Sequence, residues 1–463
     1  MVEPLRALAG HRRPRPAPPR VRLATRRPGL VVVAAFAAGV GLGTLLLALP
    51  VAHRGPGSVG LLEALFTATS ALCVTGLAVV DTATAWSPFG QVVILALIQV
   101  GGFGIMTLAS LLGLVISRRL GLSSRMVAAA ETKSLGLGDV RTVLIGVARI
   151  SVAVEASIAA VLTLRFATTY HHPWGESLWL GVFHAVSAFN NAGFALFSDN
   201  LVGFATDPWV CLPLCLAVIV GGLGFPVLLE LLRHRHRTRR WSVHTRLTLA
   251  MTALLLVGGT LFVTAAEWRN PGTLGALDAP GRLLAGFVQG VMPRTAGFNS
   301  VDTGAMNTGT LLGTDVLMFI GGGSAGTAGG IKVGTFAVLL VAIVAELRGD
   351  PDAVLFDRRL PAGAVRQALA VALLSVAVVV LATVTLSMTT DHDLDAVLFE
   401  VVSAFATVGL STGITPDLAP GHQLVLVVLM FAGRVGPVTL ASALVLRERR
   451  RLFRHPEGRP LIG

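Results

Sequence analysis

Long apolar runs at 30–50, 91–116, 143–167, 209–232, 247–266, 315–345, 365–388 and 424–446 leave this chain few ways to fold. Each has roughly the 20 residues that a helix needs to cross the ~30 Å hydrocarbon core of a bilayer. A mean hydropathy of +0.75, with 53% hydrophobic and only 13% charged residues over 463 positions, leaves too little polar surface for a soluble body of this size. The chain reads as a multi-pass membrane protein with eight spans.

Its net charge of +12 does not point to nucleic acid, because the basic residues are confined to alternate connections. They occupy 6–27, 118–149, 233–246, 348–359 and 447–454. The intervening connections carry Glu63, Asp81, Glu176, Asp199, Asp278, Asp302, Asp391, Asp393, Asp395 and Asp417. By the positive-inside rule both termini are cytoplasmic, in a cell membrane. Residues 1–29, rich in Arg and Pro without a signal-peptidase pattern, read as a basic cytoplasmic segment, and 447–463 as a cytoplasmic tail. Cys211 and Cys215, one turn apart within a span, read as small buried hydrophobes.

Between spans one pattern recurs: FTATSALCVTGL at 66–77, FHAVSAFNNAGF at 183–194, FVQGVMPRTAGF at 287–298 and FEVVSAFATVGL at 399–410. In each copy a Phe stands ten residues before a Gly. A Ser stands six before it in three copies (Ser70, Ser187, Ser403), with Val291 the exception. Ten residues make a helix of about 15 Å, half a bilayer, so each copy dips into the membrane and returns. The repeating units run 30–117, 118–232, 233–345 and 346–446, the last three each with its preceding cytoplasmic loop. Irregular backbone at that depth is tolerated only inside protein or along water, and four such segments around an axis supply that setting. Helix C-terminal ends facing the axis favour a cation, and a Gly after each permits the backbone that offers carbonyls to it.

Cys73-Val74-Thr75-Gly76-Leu77, Asn190-Asn191-Ala192-Gly193-Phe194, Arg294-Thr295-Ala296-Gly297-Phe298 and Ala406-Thr407-Val408-Gly409-Leu410 resemble the filter loops of the Trk, Ktr and plant HKT cation transporters. The resemblance extends over about 30–446. It implies an all-α integral membrane fold of four pseudo-symmetric M1-P-M2 pore-loop repeats: eight transmembrane helices and four re-entrant pore helices around one central pore. Eight spans after a short N-terminal segment are similar to the Ktr membrane subunit; Trk subunits carry a further N-terminal hairpin. The resemblance implies potassium binding by the backbone of Val74, Thr75, Gly76, Asn191, Ala192, Gly193, Thr295, Ala296, Gly297, Thr407, Val408 and Gly409. In that family a Ser at the first filter position goes with sodium preference; Gly76 there implies potassium. The flanking residues depart from the four-Gly channel signature, which implies looser selectivity than in true potassium channels.

A second glycine cluster follows each copy by 24 to 28 residues: Gly101-Gly102-Phe103-Gly104, Gly221-Gly222-Leu223-Gly224, Gly321-Gly322-Gly323 and Gly433-Arg434-Val435-Gly436. Midway down a span these are expected to loosen or kink it. The stretch GGGSAGTAGG at 321–330 cannot be helix interior when each Gly costs up to ~1 kcal/mol relative to Ala. It is not a phosphate loop either, because Lys332 follows Ile331 and precedes Val333 where the Walker pattern needs Gly-Lys-Ser or Gly-Lys-Thr. The resemblance implies an intramembrane gate there: Gly321, Gly322, Gly323, Ser324, Gly326, Thr327, Gly329, Gly330 and Lys332, with Ser324, Thr327 and Lys332 as its polar contacts.

Arg434 within a span costs at least ~2.5 kcal/mol to insert and reads as a second gate element that limits ion occupancy below the filter. The alternative is a partner for loop carbonyls or a carboxylate. Glu155 is expected to pair with Arg149 or Arg165, and His184 to pack or hydrogen-bond on its short helix. Asp81, Asp199, Asp302 and Asp417 follow the four filter glycines by five to eight residues, as an acidic extracellular vestibule would.

No metal other than potassium and no cofactor is expected in this chain, with Na+ as a coupling or activating ion left open. The resemblance implies a homodimer in the lipid bilayer working with cytoplasmic nucleotide-binding regulatory subunits of the KtrA/TrkA type. The basic segments 233–246 and 447–454 are candidate contacts for them. A secondary transporter with alternating access is the alternative, though such folds often carry inverted repeats and these copies are parallel. No His, Asp or Glu cluster at metal or acid–base spacing suggests an enzyme.

Overall fold

A computed structural model describes residues 28–55, 59–119, 140–235, 238–356 and 358–446. The basic N-terminal segment up to residue 27, most of the basic connection before the third span, and the tail from 447 lie outside the described residues.

The same helical order recurs along the chain. Helices α1 (Pro28–Leu47) and α3 (Pro88–Arg119) flank the short α2 (Leu61–Cys73). Helices α4 (Val140–Thr168) and α6 (Pro208–Leu223) flank α5 (Trp174–Phe189), and α7 (Phe225–Arg233) continues α6. Next, α8 (Val243–Glu267) and α10 (Thr308–Phe319) flank α9 (Ala279–Val291), and α11 (Val333–Arg348) follows after an irregular stretch. Last, α12 (Ala362–Ser387) and α14 (Pro420–Leu446) flank α13 (Leu394–Ala406).

Local chemistry sets several of these starts. The side chains of Asp207, Ser242 and Asp278 accept from the backbone N–H of Trp209, Thr245 and Gly281, and Pro208 and Pro280 occupy first-turn positions where no donor is needed.

Helix α14 packs against α1 and α2, so the last unit adjoins the first and the arrangement closes on itself. The short helices lie inside; every residue of α2 from Phe66 to Cys73 is buried. The long helices turn large apolar side chains outward, and Leu42, Leu45, Leu254, Leu261, Leu373 and Leu381 are each more than half exposed. An apolar outer face around a polar-containing interior is what a hydrocarbon solvent selects.

Among the described residues three helices meet the length and hydropathy of a span unaided: Leu144–Thr168, Val243–Glu267 and Ala362–Ser387. Pro208–Leu223 and Phe225–Arg233 make a fourth as a pair bent by 98°. Val32–Leu47, Pro88–Gly104 and Pro420–Gly436 are shorter apolar stretches within α1, α3 and α14. The run at 315–345 is split between α10 and α11 by residues 320–332.

The glycine clusters correct one expectation. Helices α3 and α14 run unbroken through Gly101–Gly104 and Gly433–Gly436, and only the second and third clusters interrupt a helix. In α3, α6 and α14 the first glycine serves close approach. A Cβ on Gly101, Gly221 or Gly433 would collide with the carbonyl oxygen of Leu72, Phe189 or Phe405, each four residues before a loop glycine.

Glu155 is a second correction. It does not pair with Arg149 or Arg165; Gln99 donates to it at 3.1 Å and Asn190 at 3.3 Å, tying α3, α4 and α5. Arg165 instead pairs with Asp207 at 2.8 Å, and the Tyr170 hydroxyl donates to the same carboxylate at 2.9 Å. Burial, then that carboxylate, pushes the Tyr170 phenol up to about 12. Trp179 Nε1 donates to Gln91 at 2.9 Å, joining the first unit to the second.

Close approach and helix propensity make opposite predictions for glycine substitutions. Gly101→Ala gains up to ~1 kcal/mol of propensity but meets a backbone carbonyl that cannot step aside, at a cost of about 1–3 kcal/mol. It should melt at lower temperature in detergent. Gly258→Ala in α8, where a Cβ meets nothing within 4 Å, should melt at the same or a higher temperature.

Candidate functional site

The short helices end alike. The residue two before each loop glycine is left-handed, with φ of 57° at Val74, 59° at Asn191, 72° at Thr295 and 50° at Thr407. The glycines are left-handed too, at 93° (Gly76), 72° (Gly193), 69° (Gly297) and 95° (Gly409). Asn accepts this region readily, whereas β-branched Val74, Thr295 and Thr407 do so at a cost of about 1–3 kcal/mol each. Such strain persists only when the surroundings hold it.

The four loops meet. A Cβ on Gly76 would strike the carbonyl oxygen of Ala192, one on Gly193 would lie 2.5 Å from that of Ala296, one on Gly297 would strike Val408, and one on Gly409 would strike Thr75. Each glycine therefore faces the carbonyl before the next glycine, and the series closes in chain order. The structure thus brings together eight of the twelve backbone positions named from the sequence, Thr75, Gly76, Ala192, Gly193, Ala296, Gly297, Val408 and Gly409, and Val74, Asn191, Thr295 and Thr407 precede them in the chain.

Side chains of the short helices clasp three of the loops. Ser70 Oγ donates to Leu77 O at 2.7 Å and accepts from Gly76 N at 3.1 Å. Ser187 Oγ donates to Phe194 O at 2.8 Å, and Ser403 Oγ accepts from Gly409 N at 3.0 Å. A second clasp went unseen in the sequence. His184 Nε2 accepts from Leu196 N at 3.2 Å, and Glu400 accepts from Thr412 N at 3.0 Å. Both residues follow the repeat Phe, and both reach the third residue past the glycine, so aligning the copies at that column would have shown the signal. His184 Nδ1 lies 2.8 Å from Leu180 O and the ring stacks on Phe197, a packing role as expected. The third copy has Val288 and Val291 at these two positions and neither clasp.

Residues 320–332 form a buried irregular segment directly beneath the ring. A parallel bridge joins Ile320 to Ile331, Gly321 N donates to Ile331 O at 2.9 Å, and Gly323 N donates to Gly222 O at 2.8 Å. Helix α6 breaks alongside it at Gly224 (φ 93°), where a Cβ would strike Ser324 O. Thr327 is tied on every polar atom. Its N–H donates to Gly221 O at 3.2 Å, its hydroxyl to Phe189 O at 3.3 Å, and its carbonyl accepts from Arg434 Nη1. The Asn191 amide nitrogen, turned toward it, reaches Thr327 Oγ1 at 2.9 Å.

Lys332 Nζ donates to Ala328 O, Arg294 Nη2 donates to Gly321 O at 3.1 Å, and Gly329 N donates to Thr295 Oγ1 at 3.3 Å. Of the three polar contacts read from sequence, Thr327 and Lys332 make hydrogen bonds; the Ser324 hydroxyl makes none among the described residues. Arg434 binds a loop carbonyl, and its Nε and Nη2 are buried without a partner among the described residues. The Arg294 contact was missed, although a cation inside a loop otherwise built from small residues was its signal.

Asp81, Asp199, Asp302 and Asp417 are all exposed. Three of them cap local turns, accepting from Ala83 N, Gly203 N and Gly304 N at 2.9 Å each. Cys211 and Cys215 are buried free thiols.

A helical shell with an apolar outer face, closed around a ring of four glycine loops, defines a class of integral membrane protein built around its backbone. A family model described as TrkH, cation transport protein, matches residues 18–452, and the chain belongs to that family. It is 41% identical to Ktr system potassium uptake protein B of Bacillus subtilis over 440 residues, 94% of this chain and 97% of the relative. It is 39% identical to the protein of the same name from Vibrio alginolyticus, covering 90% and 91%. Potassium/sodium uptake protein NtpJ of Enterococcus hirae is 35% identical, covering 94% and 97%. The crystal structure of the potassium transporter TrkH from Vibrio parahaemolyticus shares the fold, with a TM-score of 0.72 at 18% identity over 91% of this chain and 85% of that one.

Removing a clasp exposes its value. Ser70→Ala leaves Gly76 N–H and Leu77 C=O without their partner, which should cost about 1–3 kcal/mol, read as earlier unfolding of the purified protein on heating.

Proposed function

We propose that this chain takes up potassium across the cell membrane through a channel-like pore, with the four glycine loops as its selectivity filter and residues 320–332 as an intramembrane gate. The closed ring in which each loop glycine faces the next loop's carbonyl carries this reading. Backbone carbonyls crowded around one point can stand in for the hydration shell of a bare cation. The relatives are named for potassium uptake, and one for sodium as well.

In this reading α2, α5, α9 and α13 are pore helices, the flanking helices are four M1-P-M2 repeats, and both termini are cytoplasmic. Thr75, Ala192, Ala296 and Val408 supply carbonyls at the ring, and Val74, Asn191, Thr295 and Thr407 the position below it. The exposed aspartates raise the cation concentration outside, an effect that fades with ionic strength.

Arg434, Lys332 and Arg294 place three cationic side chains on carbonyls of the segment below the ring. A unit charge ~8 Å from a permeant ion at an effective dielectric near 20 repels it by about 2 kcal/mol, enough to lower occupancy while the gate is shut. Opening falls to a cytoplasmic nucleotide-binding regulatory subunit, on a homodimer of this chain, with sodium as a coupling or activating ion.

Flux of potassium and sodium into liposomes carrying the purified chain tests the proposal, with and without a sodium gradient; no cation flux under any gradient or partner condition would refute it. Gly76→Ser puts a side chain against Ala192 O and should raise sodium permeability relative to potassium. An unchanged ratio would refute the filter assignment. Arg434→Ala, which frees Thr327 O, should raise flux measured without a regulatory subunit.

A further inference from the structure

The third loop is built differently from the other three. Loops one, two and four are clasped by Ser70, Ser187 and Ser403 from their own short helices, and two and four again by His184 and Glu400. Val288 and Val291 stand in their places in the third copy, and their side chains can donate or accept nothing. The backbone of this loop still returns to the helix end, with Ala296 N donating to Met292 O at 3.0 Å, but its side-chain bonds go to the segment beneath it. Gly329 N donates to Thr295 Oγ1 at 3.3 Å and Arg294 Nη2 donates to Gly321 O at 3.1 Å.

Arg294 is buried and lines a cavity of about 10 Å³ together with Thr252 and Gly322. Its Nη1 has no partner among the described residues, so the segment 320–332 supplies the one side-chain hydrogen bond found for it. The outer end is fixed separately, with Leu201 N donating to Asn299 O at 3.1 Å. Thr295 meanwhile carries the largest left-handed φ of the four equivalent positions, 72°, on a β-branched residue. The three comparable residues sit in loops held by their own helices.

We propose that the segment 320–332 is the inner support of the third filter loop, acting through Arg294 and Thr295, so that ion selectivity and gating are coupled most strongly through this quadrant, the one without a side-chain clasp of its own. Displacing the segment releases both hydrogen bonds at once. The strained Thr295 backbone then relaxes, the ring loses one fixed carbonyl position, and sodium is rejected less well. Arg294 and Thr295 are positioning residues here; the second loop also meets the segment, through Asn191 and Thr327, but keeps the Ser187 and His184 clasps when the segment moves. This inference rests on the filter reading above.

The test is the potassium-to-sodium flux ratio of the purified full-length chain in liposomes, with Gly76→Ser as reference. Arg294→Gln and Thr295→Val, the second keeping the β-branch and losing only the hydroxyl, should each lower the ratio by about tenfold. Gly323→Ala, whose new Cβ would collide with Leu223 O and displace the segment without striking a filter loop, should raise total flux and lower the ratio equally. Combining Gly323→Ala with Arg294→Gln should lower the ratio no further, because both changes remove the same support.

A wild-type ratio in either folded Arg294→Gln or Thr295→Val, while Gly76→Ser shifts it, would overturn this inference and leave the filter reading standing. Independent, multiplying losses in the double variant would also overturn it. A wild-type ratio in Gly76→Ser as well would overturn the filter reading itself.

Discussion

Backbone polar groups held at membrane depth without helix partners are the constraint on which the rest of this structure depends. An unpaired peptide group in hydrocarbon costs several kcal/mol, so irregular backbone survives there only in a protein or aqueous setting. The chain meets this condition by burying four short helices inside long ones and turning their ends on one another. Left-handed backbone at two positions per loop, one of them glycine, allows the approach. Hydroxyls six residues upstream then satisfy the returning strand in three loops.

The glycines divide by purpose. Those in the loops are needed for φ and for contact with the neighbouring loop, since any Cβ there would enter the adjacent carbonyl. Those in α3, α6 and α14 are needed for packing, because the short-helix ends lie against the long-helix backbones at Gly101, Gly221 and Gly433. Gly224 breaks α6 from α7 at a single residue, whereas between α10 and α11 glycines replace helix over a whole segment. There the backbone is satisfied by Gly221, Gly222, Arg434, Arg294 and Lys332, residues scattered over three units. This irregular segment is thus held by partners distant in the chain, and it touches the ring of loops at Thr295.

Charge follows the same logic. Three buried carboxylates are surrounded by donors: Glu267 by Asn270, Thr273, Asn307 and Thr310, Glu230 by Ser242 and Thr245, and Glu400 by Ser411, Thr412 and Thr415. They fix connections at the ends of helices. The buried cations lie elsewhere, on carbonyls of the segment below the ring, and among the described residues no carboxylate pairs with Arg294, Lys332 or Arg434. The three cations thus gather on one irregular segment and are held there by its carbonyls.

Sequence by itself determined the apolar runs, the four copies and the positions of their glycines, because hydropathy and the need for φ > 0 are local properties written residue by residue. It also showed that 321–330 could not be helix. It misjudged what Gly101 and Gly433 do and which partners Glu155 takes, and it gave no role to Glu400 or Arg294. Each of those depends on residues far apart in the chain: Glu155 meets Gln99 and Asn190, and Arg294 meets Gly321. A glycine that kinks a helix and one that admits a carbonyl look the same in a string of letters. Only the tertiary structure, by placing Leu72 against Gly101 and closing Gly409 onto Thr75, decided between them.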